Sequence, residues 1–108
     1  MNSRKTLNCA IKKQYLDMIL QGAKKTEYRD MSDYWCGKII DMGQYSGKTL
    51  QEVIDMLKMG KVELKAKPYT HITFHCNGQH ETYEIKEIKT YRGHSLFAIR
   101  LGKKATTL

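Results

Sequence analysis

The sequence predicts a small α+β domain in which a mixed sheet of about five or six strands packs with two main helices. Residues 5–11 alternate polar and apolar side chains, which is typical of a half-buried strand. The spacing then becomes that of an amphipathic helix, whose apolar face consists of Tyr15, Leu16, Ile19 and Leu20. Farther along, Asn77-Gly78 is a strong signal for a two-residue hairpin turn. Together, these three observations indicate the α+β class.

The first helix is expected to begin near Lys12 and to end before Gly22, because glycine suits the position just past a helix end. The mixed segment from Met31 to Trp35 is interpreted as a loop or a single turn. The apolar residues from Lys38 to Met42 predict a buried strand.

A second helix is predicted after the segment Gly43–Thr49, which at first resembles a phosphate-binding loop. A phosphate-binding loop needs four residues between its glycines, and here Gly43 and Gly47 are separated by three. Thr49 and Glu52 instead have the spacing of a capping box. The apolar stripe that follows consists of Leu50, Val53, Ile54 and Leu57, and the helix is expected to end near Gly60.

The turn at Asn77-Gly78 predicts the pairing of the two strands that it joins. The predicted opposite pairs are Cys76 with Gln79, His75 with His80, Phe74 with Glu81, Ile72 with Tyr83, and His71 with Glu84. Simple alternation would place Glu87 inside with the apolar residues, where it would need a partner. A bulge near Lys86 would turn Glu87 outward, and this alternative is favoured. A closing strand buried on both faces is expected from His94 to Leu101.

The composition predicts one domain spanning residues 1–108 with no internal repeat. The apolar runs are too short for a membrane span, and residues 1–5 lack the apolar core of a signal peptide, so a cytoplasmic protein is expected. Three widely spaced cysteines, Cys9, Cys36 and Cys76, predict neither a disulfide framework nor a zinc motif. The net charge of +8 favours a partner with phosphate groups.

Charged side chains of both signs follow the first helix, in the segment Gly22–Arg29. On a strand, Lys24, Thr26 and Tyr28 would point one way, and Lys25, Glu27 and Arg29 the other. The pattern Gly-x-Lys-x-x-Glu-x-Arg resembles the signature of the ASCH family, small RNA-associated domains. That resemblance implies a PUA-like β-barrel and a next strand at Cys36–Ile40.

The resemblance implies a cleft that binds RNA or a modified nucleoside. Lys24 and Arg29 would contact phosphates, while Glu27 would accept a hydrogen bond from a base amino group. Tyr28, Tyr34 and Trp35 are candidate surfaces for base stacking, although a place in the core or at its rim is slightly favoured for Trp35. The expected ligand-binding residues are Lys24, Lys25, Glu27, Tyr28, Arg29, Tyr34 and Trp35.

An enzymatic alternative comes from the same resemblance, since some ASCH proteins remove the acyl group from N4-acetylcytidine with a lysine, a threonine and a distant glutamate. Lys24 matches the lysine, but Glu27 stands where the threonine is expected, which lowers the expectation of amide hydrolysis. Glu87 is preferred over Glu84 as the distant glutamate. The catalytic set would then be Lys24, Glu27 and Glu87, with a carboxylate activating water.

A second alternative is a ribonuclease, for which the nearest pair of carboxylates outside the signature is Asp30 and Asp33. No cofactor and no metal site are expected. His71 and His75 lie too far apart on a strand to share a metal ion, and His75 with His80 lacks a third ligand in the sequence. Membrane partners are not expected.

Overall fold

The structure, a computed structural model, describes residues 3–91 and 95–107. Its elements, in chain order, are β1 (Thr6–Ala10), α1 (Lys13–Leu20), β2 (Thr26–Asp30), α2 (Asp33–Ile39), a 3-10 turn (Met42–Gln44), α3 (Leu50–Lys58), β3 (His71–Cys76), β4 (Gln79–Tyr91) and β5 (Leu96–Ala105). The predicted start of the closing strand at His94 lies outside the described residues.

The strands form one curled, mixed sheet in the order β1-β3-β4-β5-β2. Strand β1 is parallel to β3, and β3 is antiparallel to β4. This confirms the predicted α+β class with a barrel-like mixed sheet of about five or six strands, and the architecture is consistent with a PUA-like barrel. The structure has five strands and three α-helices among the described residues, where two main helices were predicted.

The hairpin between β3 and β4 has the predicted register, including His75 opposite His80 and Phe74 opposite Glu81. Asn77 and Gly78 adopt positive φ angles of 48° and 81° at the turn. Asparagine and glycine tolerate this conformation better than other residues, so the turn sequence determines the pairing of the strands.

The chain divides into two compact units by the proximity of its α carbons. Unit 1 comprises Met1–Glu27, Pro68–Glu87 and Ile99–Leu108, and unit 2 comprises Tyr28–Lys67 and Ile88–Ala98. Each unit buries its own apolar residues. In unit 1 these include Leu7, Cys9, Leu16, Ile19, Ile72, Phe74 and Ile99. In unit 2 they include Trp35, Cys36, Ile39, Ile40, Val53, Ile54, Leu57 and Phe97.

Helix α2 corrects three predictions. Met31–Trp35 is not merely a loop or single turn, and neither Lys38–Met42 nor Cys36–Ile40 is a strand, because Asp33–Ile39 is helical. The Ser32 side chain accepts a hydrogen bond from the Trp35 N–H at 3.3 Å and caps the helix. Trp35, Cys36 and Ile39 are buried at helical spacing. Of the predicted strand, Ile40 alone makes a bridge, to Ala66.

Helix α3 begins with the predicted capping box. The Thr49 hydroxyl accepts from the Glu52 N–H at 3.2 Å, and the Glu52 carboxylate accepts from the Thr49 N–H at 2.9 Å. The hydrogen bond from the Thr49 N–H is the main reason why the pKa of Glu52 lies below its usual value. Val53, Ile54 and Leu57 are buried, as predicted.

Replacing Thr49 with alanine is expected to lower the free energy of unfolding by about 1 kcal/mol, because a backbone N–H loses its acceptor. Thermal unfolding measures the change, and Ser46→Ala, an exposed position just before the helix, is the control. Because the pKa of Glu52 is lowered by folding, its contribution is present above the unfolded pKa and is lost as pH falls through the folded pKa. An equal loss in Ser46→Ala would contradict the capping role.

All three cysteines are buried as free thiols. Burial raises the pKa of Cys36 to about 11, so this thiol stays protonated at neutral pH. Within residues 3–91 and 95–107, no helix is long and apolar enough to cross a membrane.

Candidate functional site

The position of Lys24 is determined by the way in which α1 ends. Gly22 follows the helix with a φ angle of 80°, a conformation that other residues rarely adopt. The N–H groups of Ala23 and Lys24 both donate to the carbonyl oxygen of Met18, at 3.0 and 3.1 Å. The backbone therefore turns tightly after the helix and leads directly into β2.

Lys24 and Glu27 form a largely buried ion pair. The Nζ atom of Lys24 lies 2.9 Å from Oε1 of Glu27, and the two side chains are 17% and 7% exposed. Lys24 Nζ also donates to the carbonyl oxygen of Thr26. Charged groups buried this deeply need partners, so the pair holds the lysine in one orientation.

A cavity of about 430 Å³ in unit 1 brings Lys24 together with residues from β4 and β5. Its size falls in the range typical of small-molecule sites. The residues that line it are Ile19, Gly22, Lys24, Lys25, Tyr83, Glu84, Lys86, Leu101, Gly102 and Lys103. Four of these described residues are lysines and one is a carboxylate, so the cavity carries an excess of positive charge.

Two close contacts define one wall of the cavity. The carbonyl oxygen of Lys25 accepts from the Leu101 N–H at 3.0 Å, which holds the signature segment beside β5. A Cβ atom added at Gly102 would lie 3.2 Å from Cβ of Glu84, closer than usual packing allows. Glycine at this position therefore makes room for the Glu84 side chain.

Glu84, and not Glu87, lines the cavity with Lys24. The Glu87 side chain is 44% exposed, and its carboxylate lies 3.2 Å from Nε of Arg100. Ile88 is half-buried instead, which agrees with the favoured prediction that Glu87 turns outward. The sequence preference for Glu87 as the distant glutamate thus selected a residue that does not line this cavity.

The remaining signature residue, Arg29, belongs to unit 2. The guanidinium carbon of Arg29 lies 5.2 Å from the centre of the Trp35 ring, in a cation–π arrangement. Trp35 is only 8% exposed, so its ring serves the core and little of it is accessible to a base. Trp35 therefore offers little surface on which a base could stack. The Arg29 guanidinium lies against the Trp35 ring, whereas the lysines of the cavity line an open space.

The exposed aromatic rings of unit 2 are tyrosines. Tyr34 is 61% exposed and contacts Trp35 edge to face, with 5.2 Å between the ring centres. Tyr28 is also exposed and contacts Tyr91 edge to face at 5.8 Å. These rings, unlike Trp35, present apolar faces to solvent.

Sequence reasoning did not select Lys86, Gly102 or Lys103 as site residues. Strand β5 continues to Ala105, beyond the predicted end at Leu101, and so Gly102 and Lys103 belong to the sheet. The adjacent lysines Lys103 and Lys104, which follow an apolar strand, were the feature of the sequence that could have indicated these site residues. In the part of the chain that the structure describes, no three histidine, cysteine or acidic residues are grouped so that they could hold a metal ion.

Comparison of the chain with models of known protein families, with characterised proteins and with solved structures found no match.

Proposed function

We propose that the chain is an ASCH-type domain that binds RNA or a nucleoside-like ligand in the cavity beside Lys24. The observation that carries this proposal is the lining itself, in which Lys24, Lys25, Lys86 and Lys103 surround a cavity with one carboxylate, Glu84. Such a lining combines positive charge for phosphates with an acceptor for a base.

The lysines of the cavity have different roles in this proposal. Lys24 is paired with Glu27 and donates to the Thr26 carbonyl oxygen. It therefore adds little net positive charge to the cavity, and its role is to contact the ligand from a fixed position. Lys25, Lys86 and Lys103 are exposed and supply the positive charge that attracts a phosphate backbone.

Glu84 supplies selectivity in this proposal, replacing the role that the sequence assigned to Glu27. The Glu27 carboxylate is buried against Lys24, whereas Glu84 is exposed along the cavity wall. A carboxylate only accepts hydrogen bonds, so it favours bases with an exocyclic amino group, which are cytosine, adenine and guanine, over uracil. The exposed rings of Tyr28 and Tyr34 are candidate stacking surfaces of unit 2.

Neutralising Lys86 or Lys103 with glutamine is expected to weaken binding of a fluorescein-labelled single-stranded RNA. Each lost phosphate contact should reduce the slope of log K against log salt by about 0.7. Fluorescence anisotropy at several salt concentrations measures both quantities. Lys12→Gln is the matched control, because Lys12 is an exposed lysine of unit 1 that does not line the cavity.

Equal losses of affinity in Lys12→Gln and Lys103→Gln would contradict the proposal, since they would show attraction by net charge alone. Absence of RNA and cytidine binding by the unmodified protein would also contradict it. A loss confined to the cavity variants supports the proposed site.

The second candidate function is hydrolysis of an acylated nucleoside such as N4-acetylcytidine, and it rests on the placement of Glu84 and Lys24 around one cavity. Glu84 would take a proton from water as the water oxygen adds to the acyl carbon. The carbon–nitrogen bond then breaks, and the proton passes to the leaving amine, which yields a carboxylate and cytidine. Lys24 would stabilise negative charge on the acyl oxygen.

Acetate release from N4-acetylcytidine, with enzyme near the substrate concentration, tests this activity. The reaction is expected to stop in Glu84→Gln and to persist in Glu87→Gln, because Glu87 pairs with Arg100 and does not line the cavity. Retention of activity in Glu84→Gln, or no acetate from the unmodified protein, would exclude the mechanism.

A further inference from the structure

A second cavity in unit 1, of about 510 Å³, has a different lining from the cavity beside Lys24. It lies along β1 and the hairpin of β3 and β4, and its lining residues are Arg4, Thr6, Asn8, Thr73, His75, His80 and Thr107. No acidic residue is found among these described residues. Their polar groups include a guanidinium, two imidazoles, an amide and several hydroxyls.

Two histidines and one asparagine form a continuous hydrogen-bonded chain in this cavity. Nδ1 of His75 lies 2.7 Å from Nδ1 of His80, and Nε2 of His75 lies 2.8 Å from Oδ1 of Asn8. The amide oxygen only accepts, so His75 donates from Nε2. In a neutral His75 ring, Nδ1 is then the acceptor, and His80 donates to it from its own Nδ1.

Among residues 3–91 and 95–107, Nε2 of His80 makes no hydrogen bond, and it is the exposed end of this chain. A proton added to that atom would keep both existing hydrogen bonds and make His80, which lines the cavity, a cationic donor. A proton added to His75 would instead set two N–H groups against each other. Other charged groups near the pair are Arg4 before β1 and, beside His80 on β4, Glu81, which is paired with Lys104 at 3.0 Å.

Arg4 supplies the permanent positive charge of the cavity. Its Nη1 atom donates to the carbonyl oxygen of Thr106 at 2.6 Å, which holds the guanidinium against the end of the chain. Among residues 3–91 and 95–107, this is the hydrogen bond that the Arg4 side chain makes. Its other N–H groups can donate to a ligand in the forked geometry that suits oxyanions.

Two threonines of the lining, Thr73 and Thr107, are joined through the buried hydroxyl of Thr82. Oγ1 of Thr82 lies 2.6 Å from Oγ1 of Thr73 and 2.9 Å from Oγ1 of Thr107. Thr73 is only 6% exposed, although it lines the cavity. Thr73 and Thr82 are buried and Thr107 is exposed, and hydrogen bonds in such a chain strengthen one another by mutual polarisation.

We infer that this cavity is a binding site for a phosphate monoester, with Arg4 and His80 contacting the phosphate oxygens and the Thr6 hydroxyl placed to donate to them. No carboxylate is found among the described lining residues, so the lining itself does not repel a dianion. A phosphate monoester has three terminal oxygens for these donors, one more than a carboxylate. The site is independent of the proposed binding of RNA beside Lys24, since the two linings share no residue.

A metal ion is the competing ligand for two histidines, and the geometry disfavours it. The two Nδ1 atoms face each other at 2.7 Å as hydrogen-bond partners, and the third neighbour is an amide oxygen. Metal sites with few imidazoles normally add a carboxylate or thiolate, and neither type lines the cavity.

Titration of the full chain with inorganic phosphate and with cytidine 5′-monophosphate, followed by calorimetry and by NMR of the histidine side chains, tests this inference. Binding should be weakened about tenfold in Arg4→Gln, because a charge-assisted hydrogen bond is lost. Arg100→Gln is the matched control, since Arg100 is an exposed arginine of unit 1 outside the cavity.

Asn8→Asp is a second variant, in which the side chain keeps its shape but gains a negative charge. Its effect distinguishes binding of a phosphate from binding of a metal ion. A carboxylate at this position should weaken phosphate binding about tenfold or more by repulsion, whereas it would strengthen binding of Zn²⁺ by the histidines. Binding of the nucleotide but not of inorganic phosphate would still support a monoester site if His80 Nε2 gains a proton in the NMR spectrum. Tighter binding of acetate than of phosphate, or Zn²⁺ binding without phosphate binding, would overturn the inference.

Discussion

Glu27→Ala is expected to lower the free energy of unfolding by about 3 kcal/mol, because it leaves the buried Lys24 ammonium without its carboxylate. The side chains are 17% and 7% exposed, and Nζ of Lys24 lies 2.9 Å from Oε1 of Glu27. Some of the cost is relieved by the remaining exposure of Lys24 and by its hydrogen bond to the Thr26 carbonyl, so the lower part of the usual range applies. Chemical denaturation measures the change.

A double-mutant cycle separates the ion pair from general packing. Lys24→Met combined with Glu27→Leu replaces both charges by apolar groups and should be less destabilised than Glu27→Ala alone. Glu63→Ala is the control, because Glu63 is an exposed glutamate of unit 2 whose backbone carbonyl, not its carboxylate, accepts from the Tyr45 hydroxyl. The free energies of unfolding of Lys24→Met, of Glu27→Leu and of their combination complete the cycle. Additive effects of Lys24→Met and Glu27→Leu would show that the two side chains do not depend on each other.

Gly102→Leu is expected to block ligand binding in the cavity beside Lys24. The added Cβ would lie 3.2 Å from Cβ of Glu84, and the rest of the side chain must occupy space on the same wall. Overpacking of this kind costs about 1–3 kcal/mol of folding stability, and because the leucine fills part of the cavity, binding is expected to weaken by about tenfold or more. The change is measured by RNA anisotropy and by calorimetry with cytidine.

Gly37→Leu is the matched control for this substitution. A Cβ at Gly37 meets no atom within 4 Å, and Gly37 lies in helix α2 of unit 2. Binding should therefore stay within about twofold of the unmodified protein. Unchanged affinity in Gly102→Leu would place the ligand elsewhere.

The hairpin and helix α3 could be predicted because short sequence signals determine them. Asn77 and Gly78 accept the positive φ angles of the turn, and the register of β3 and β4 follows from the turn. Thr49 and Glu52 likewise define the start of α3 through two local hydrogen bonds. Both cases depend on residues within a few positions of one another.

Helix α2 was missed because its apolar residues allow either a helix or a buried strand. Cys36, Ile39 and Ile40 form a short apolar run, for which periodicity alone does not discriminate. The deciding signals were Ser32 at the N-cap, Asp33 in the first turn and Lys38 in the last.

The candidate site could be predicted only in part, because it is formed by residues that are distant from one another in the sequence. Lys24 and Lys25 were selected from the signature, but Glu84 and Lys103 come to the same cavity through β4 and β5. Glu84 is exposed in the regular hairpin register opposite His71, whereas Glu87 follows a change of phase in β4 and pairs with Arg100. The burial of Glu27 against Lys24 could likewise be predicted only with knowledge of the fold.

The binding of a nucleotide-containing ligand beside Lys24 is tested most directly by NMR of the isotope-labelled protein titrated with a short single-stranded RNA and, separately, with cytidine. The largest amide shifts are predicted at Gly22, Lys25, Glu84 and Lys103, around the cavity of about 430 Å³. Shifts confined to Asn8, His75 and His80, or no shifts at saturating ligand, would contradict the proposed site.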